Sequence, residues 1–142
     1  MGTKIGNSYH DTLYDPERLM IAVEKTIAKA RKIYTRTPFD TIAFRGSSGA
    51  AMAFPLSLTL QIPCIYVRKP NEQSHGNRIE GPWKVVHTYL IIDDFISEGK
   101  TIKAIVDALP ELSCIGALMY ARTTEDIYWH GSKFQIPLWG SQ

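Results

Sequence analysis

An α/β fold, a Rossmann-like parallel sheet flanked by helices, is predicted by three features of the chain. Four short uncharged apolar runs, within residues 41–44, 62–67, 89–92 and 114–120, have the length and character of strands buried on both faces. Segments between and before them repeat apolar residues at helical spacing, as in Leu19, Val23, Ile27, Ala30 and Tyr34. The resulting order is helix, strand, helix, strand, polar loop, strand, helix, strand, and this alternation is what parallel strands need for their crossovers.

Composition narrows the class. A chain of 142 residues, 44% hydrophobic and 21% charged, can bury a core and is read as one domain over 1–142. The net charge of +2 comes without a run of like charges, so no nucleic-acid arm is expected. The longest apolar region, 50–67, is interrupted by Pro55, Ser57, Thr59, Gln61 and Pro63 and is not a membrane span. Polar residues stand where a signal peptide needs an apolar core, which predicts a cytoplasmic protein. Cys64 and Cys114 fall in predicted strands and are expected to be reduced core residues.

Residues 1–14 show no period. Asp15 then reads as an N-cap, with Pro16 at the first helical position and Glu17 against the positive helix end, and Pro38 stops the helix. The strand at 41–44 runs into Arg45-Gly46-Ser47-Ser48-Gly49, where a cation, two glycines and two hydroxyls suit an anion and equally suit a surface turn. Pro55 either starts the next helix or kinks it. The strand at 62–67 leads into Arg68-Lys69, and residues 70–84, polar and rich in Gly and Pro, have the profile of a flexible lid.

The stretch 89–102 carries the chemistry. A buried strand ends in Asp93-Asp94, and Ser97-Glu98-Gly99-Lys100-Thr101 then turns into a helix marked by Ile102, Ile105, Val106 and Leu109. Hydroxyls, a glycine and free amides at a helix N-terminus suit a phosphate, whereas two carboxylates repel one and suit the hydroxyls of a sugar. The nucleotide P-loop is excluded, because the glycine it needs five residues before Gly99 is Asp94. The alternative is an ordinary strand and turn with an accidental acidic pair. In the tail, 126–129 and 134–139 flank Gly131 and read as a small β addition.

The combination of hydrophobic strand, two acids, two apolar positions and a small-residue loop ending in Thr101 resembles the phosphoribosyl-pyrophosphate (PRPP) signature of the type I phosphoribosyltransferases. Arg45-Gly46 is similar to the pyrophosphate loop of that family's adenine and xanthine-guanine members. Arg68-Lys69, His75-Gly76 and Ile79-Glu80-Gly81-Pro82 follow the order of the orotate enzymes' catalytic loop, although that loop's further lysine is replaced by Glu72-Gln73-Ser74. The resemblance implies the family fold, with a small hood and a flexible lid, and transfer of the phosphoribosyl group of PRPP to a nucleobase nitrogen. It implies that Asp93, Asp94, Arg68, Lys69 and His75 are catalytic, that residues Ser97, Glu98, Gly99, Lys100 and Thr101 hold the 5′-phosphate, and that Arg45, Gly46 and Ser47 hold pyrophosphate. Mg2+ is expected through PRPP and water rather than a protein cage. Tyr128, Trp129 and Phe134 are candidates to stack on the base, with core or dimer packing as the alternative for each. The lid favours orotate or another pyrimidine-like base, and Ser97 in place of the aspartate of 6-oxopurine enzymes argues against hypoxanthine and guanine. A homodimer is implied by the family's shared lid. Two other readings stand beside the enzyme: a PRPP- or nucleotide-binding regulator of the same fold with little or no catalysis, and a non-catalytic interaction domain.

Overall fold

The computed structural model describes residues 11–70, 78–96, 98–122, 126–131 and 134–142. A helical turn α1 (Asp11–Tyr14) and the long α2 (Pro16–Arg36) are followed by β1 (Thr41–Phe44), α3 (Gly46–Leu60), β2 (Cys64–Val67) and the short β3 (Ile79–Glu80). Then come β4 (Thr88–Asp93), α4 (Lys100–Ala108), β5 (Ser113–Met119), β6 (Ile127–His130) and β7 (Gln135–Gly140). The strands form one sheet in the order β3-β2-β1-β4-β5-β7-β6. Its inner members pair in parallel, while β3 on β2 and β6 on β7 are antiparallel.

Alternation along the strands sorts the core onto two faces. Ala43, Ile65, Tyr89, Ile91 and Met119 pack with Ile102 and Ile105 of α4 on one face. Ile42, Phe44, Leu90, Ile92 and Leu118 meet Ala30 and Ile33 of α2 and Met52 and Leu56 of α3 on the other. Tyr89, Leu90, Ile91 and Ile92 are completely buried, so β4 is the centre of the molecule. Each such aliphatic side chain stabilises the fold by about 1.5–3 kcal/mol relative to exposure. At the start of α2 the Glu17 amide donates to the Asp15 carboxylate (3.1 Å), the N-cap expected there. The Thr26 and Ser141 hydroxyls share a buried hydrogen bond of 2.8 Å that ties the C-terminus to α2.

Three expectations are corrected. Residues 11–14, without a visible period, form the turn α1. The segment 46–49 is the first turn of α3 rather than a separate loop, because Gly46 at φ +84 reverses the chain directly into the helix. Pro55 accordingly lies inside α3. Residues 70–84 are not one uninterrupted lid. The Arg68 amide donates to the Arg78 carbonyl (2.8 Å) and Ile79 and Glu80 pair with Val67 and Tyr66. Gly81 lets the chain pass within a Cβ's reach of the Cys64 carbonyl, where any side chain would stand 2.4 Å away. The tail forms the small β addition expected there, and it is continuous with the main sheet. Strand β7 pairs in parallel with β5 and carries β6 as the sheet's new edge. Cys64 and Cys114 are free thiols, as expected.

Strand β5 bulges where its register to β4 shifts between Tyr89 and Leu90, and Gly116 there has φ +149 with the Trp139 ring 2.3 Å from where a Cβ would sit. Gly116→Ala is therefore expected to cost about 2–3 kcal/mol, combining backbone strain and overpacking. Urea unfolding at matched slope would measure it.

Candidate functional site

Parallel strands deliver their C-terminal ends to one edge, and the polar residues of the chain collect there. Strand β1 ends at Phe44 and runs into Arg45-Gly46, β2 ends at Val67 and runs into Arg68-Lys69, and β4 ends at Asp93. Because β1 pairs with both β2 and β4, the chain reverses its direction of sheet growth between them, and open α/β sheets bind ligands at such a switch point.

The acidic pair lies at the bottom of this edge. Asp93 and Asp94 are 8% and 7% exposed, although each is charged in water at neutral pH. The Asp94 amide donates to the Asp93 carboxylate (2.9 Å) and the Phe95 amide to the Asp94 carboxylate (2.8 Å), which aims both groups. The Asp93 and Asp94 carbonyls accept from the Tyr120 and Ala121 amides at 3.0 and 2.7 Å, extending the ladder beyond the strands. Burial raises the Asp93 pKa. The hydrogen bond from the Asp94 amide opposes this, the Asp94 charge adds to it, and Lys69 opposes it. A buried carboxylate pair with so few compensating donors suits hydroxyls and a hard cation.

Lys69 joins two of the predicted motifs. Its ammonium bears on Asp93, and its Cε and Nζ pack 3.8 Å from the position a Cβ on Gly46 would take. Gly46 needs its positive φ, and Gly49, one turn on, lies so close to the sheet that a Cβ would be 3.0 Å from the Ile92 carbonyl. The N-terminus of α3 is thereby pressed against the end of β4. Arg45, at its N-cap, has a buried Nε with no hydrogen-bond partner among the described residues. A buried guanidinium donor left unsatisfied is costly, and an anion is the partner that would relieve it.

Tyr120, read from the sequence only as the end of a strand, has a further role. Its hydroxyl donates to the Ser48 carbonyl (2.9 Å), linking the end of β5 to the first turn of α3. Burial, and then the charges of Asp94 and Asp93, push the hydroxyl pKa up, so the proton stays available for that bond. No spacing signal marks Tyr120, since β5 and α3 meet only in the folded chain.

The loop after the acids begins α4. Gly99, its N-cap, has φ +77 and no side chain to cap the helix. The first intrahelical bond runs from the Lys103 amide to the Gly99 carbonyl (2.9 Å), so the preceding amides have no helical partner. A cavity of about 80 Å³ lies between them and Asp93, lined also by Phe95, Ile96 and Met119. Glu98 does not intrude on it. Its carboxylate pairs with Lys100 (2.9 Å), and both side chains are more than two-thirds exposed. The Lys100 ammonium is thus turned to solvent, and backbone amides with the Thr101 hydroxyl are what this loop offers a phosphate. Ser97 and His75 lie outside the described residues.

Arg68 is engaged elsewhere. It pairs with Glu80 of β3 (2.5 Å), and its guanidinium lies 5.1 Å above the Tyr66 ring. The three aromatic candidates also separate. Tyr128 is largely exposed and borders a cavity of about 650 Å³ on the α2 side of the sheet, together with Lys32, Arg36 and Trp139. Trp129 and Phe134 face the α4 side, ring centroids 5.3 Å apart, and the Trp129 indole lies directly against Gly99.

The switch point of the sheet's parallel part thus gathers a buried acid pair, a glycine-led helix start and a basic strand end. In fold the chain is similar to solved phosphoribosyltransferases, and in sequence to curated orotate phosphoribosyltransferases. Its curated relatives include the orotate phosphoribosyltransferases of Listeria monocytogenes serovar 1/2a (36% identical over 106 residues, 70% of this chain) and Pyrobaculum islandicum (32% over 100 residues, 70% of this chain). The chain spans about half the length of these relatives, 51% and 50%. Among solved structures, an adenine phosphoribosyltransferase superposes with TM-score 0.65 at 16% identity, covering 92% of this chain and 84% of that one. Orotate phosphoribosyltransferase from Aeropyrum pernix gives 0.60 at 20% identity, covering 76% and 61%. No protein-family model matches the chain.

Tyr120→Phe removes the donor to Ser48 while keeping the ring. It is expected to lower stability by about 1 kcal/mol through the unsatisfied carbonyl. Chemical denaturation at unchanged slope would show it.

Proposed function

We propose that this protein transfers the 5-phosphoribosyl group of PRPP to a nucleobase nitrogen with release of pyrophosphate, orotate or another pyrimidine-like base being the acceptor. The observation that carries the proposal is that the adjacent parallel strands β2, β1 and β4 end on one edge, where Lys69 packs beside Gly46 and the Asp93-Asp94 pair is buried. The curated relatives carry the name orotate phosphoribosyltransferase, which favours orotate as the base to test first.

In the proposed reaction a ring nitrogen of the base forms a bond to the anomeric carbon as the bond from that carbon to pyrophosphate breaks. Positive charge grows on the sugar and negative charge on the leaving group. Such a reaction asks for positioning and charge stabilisation more than covalent help. Asp93 and Asp94 accept from the ribose hydroxyls and set a negative field beside the cationic sugar. The amides of Gly99, Lys100 and Thr101 hold the 5′-phosphate at the start of α4. Arg45, the Gly46 and Ser47 amides and Lys69 receive pyrophosphate, which would give the Arg45 Nε the partner it lacks. The carboxylates of Asp93 and Asp94 fit Mg2+ carried in with PRPP, and the ion would supply charge neutralisation on the departing pyrophosphate. Among the described residues no cluster of three His, Cys, Asp or Glu offers a cage of its own. Arg68, a pyrophosphate ligand by resemblance, is paired with Glu80 through one guanidinium nitrogen.

The same reading includes a homodimer, expected from the lid and testable by light scattering, and a cytoplasmic location; among the described residues no helix is long and apolar enough to cross a membrane. The alternative, a PRPP-binding regulator without turnover, is favoured by the Arg68–Glu80 pair and by Glu72-Gln73-Ser74 in place of the loop lysine.

Calorimetry with Mg2+ and PRPP, followed by pyrophosphate release with orotate, uracil, adenine, guanine, xanthine and nicotinate, tests the proposal. Wild type is expected to bind PRPP, Asp93→Asn/Asp94→Asn to lose at least about 100-fold in affinity, two hydrogen-bonded charges being removed. Binding without release for any base supports the regulator, and absence of binding refutes both readings.

The raised Asp93 pKa makes a separate prediction. The folded protein holds this proton more tightly than the unfolded chain, so its stabilising contribution is full below the ordinary carboxylate pKa and is lost as pH rises through the raised value, about 7. Asp93→Asn is therefore expected to raise the melting temperature of the ligand-free protein at pH 8, with the advantage shrinking to nothing towards pH 4. A constant difference across that range would show that the carboxylate is not the cause.

A further inference from the structure

We infer that Trp129, in the C-terminal hairpin, is a positioning residue for the phosphate loop: its indole backs Gly99 and sets where the first turn of α4 presents its amides. The inference rests on the proposed function for what the loop binds, and on geometry alone for what holds it.

Three observations meet at the indole. A Cβ on Gly99 would lie 2.3 Å from Trp129 Cζ2, 2.8 Å from Cε2 and 3.0 Å from Nε1, so the ring occupies the space a side chain would need. A Cβ on Gly131 would lie 2.7 Å from Cζ3 and Cη2, at the far end of the same ring. The indole is therefore slotted between two residues without side chains, and Phe134 packs beside it with ring planes at 52°. The slot is built by the hairpin: Trp129 pairs with Ile136 across β6 and β7, and the Gly131 amide donates to the Phe134 carbonyl (2.8 Å) to close the turn. Strand β7 in turn is fixed to β5 through Ala117 and Leu138.

Among the described residues the loop has few other restraints. Gly99 contributes no side-chain cap to α4, and the Glu98–Lys100 pair is exposed and contributes little. A glycine in the left-handed region is also the residue type with most freedom to move. The cavity beside Asp93 has Gly99, Lys100 and Thr101 in its wall but not Trp129, so the indole acts from behind the loop, through Gly99, rather than by touching a ligand.

The test compares wild type, Trp129→Ala and Trp129→Phe in the ligand-free protein by amide hydrogen exchange, then titrates each separately with ribose 5-phosphate and with pyrophosphate plus Mg2+. Trp129→Ala is expected to accelerate exchange at Lys103, whose amide bonds the Gly99 carbonyl, by about tenfold, the effect of 1.4 kcal/mol in a local opening equilibrium, while Tyr89 to Ile92 keep their protection. Ribose 5-phosphate affinity should fall by a similar factor, pyrophosphate affinity should hold, and Trp129→Phe should restore much of both losses. Unchanged exchange at Lys103, or acceleration spread equally into β4, would overturn the inference, as would equal weakening of both ligands. If wild type binds neither ligand, the proposed function fails while the exchange comparison still decides whether Trp129 holds the loop.

Discussion

Two carboxylates buried at the end of the central strand are the constraint around which this molecule is arranged. Desolvating a carboxylate opposes folding unless donors or a proton compensate, and here the compensation is partial. The amides of Asp94 and Phe95 aim the pair, Tyr120 and Ala121 hold its backbone, and Lys69 supplies one nearby cation. The hydrophobic burial of Tyr89 to Ile92 offsets what remains. A pair kept in this condition favours partners that donate hydrogen bonds or positive charge, and the proposed function assigns it such partners.

Parallel topology supplies the rest of the site without further design. Once β2, β1 and β4 lie side by side in the same direction, Lys69, Gly46 and Asp93 share one edge. Fine placement then depends on close approach: Gly49 brings α3 onto the Ile92 carbonyl, and the Tyr120 hydroxyl fastens its first turn. Surface ion pairs contribute little to this order, since Glu98 and Lys100 are largely exposed and such pairs stabilise by at most about 1 kcal/mol. At the starts of α3 and α4, packing against backbone outweighs the exposed Glu98–Lys100 pair.

The C-terminal hairpin changes the meaning of the tail. By joining β5 in parallel it extends the main sheet, and the alternation of β6 sends Tyr128 to the α2 side and Trp129 to the α4 side. Three aromatic residues that look interchangeable in a sequence thus have different surroundings, one near a surface cavity and two against the face that carries α4 and the Gly99 turn.

The amino-acid sequence by itself determined the alternating elements, the buried central strand and the places where strands end in Asp93-Asp94, Arg45-Gly46 and Arg68-Lys69, because these follow from local periodicity, burial on both faces and the chemistry of turns. It also carried the Asp15 cap and the start of α4 near Thr101. The pairing of β7 with β5, the strand β3 within the expected lid, the contact of Tyr120 with Ser48 and the seat of Trp129 on Gly99 were decided only by tertiary structure. Each joins residues distant in the chain, and no local preference of either partner specifies the other. Long-range packing chose among arrangements that were locally equivalent.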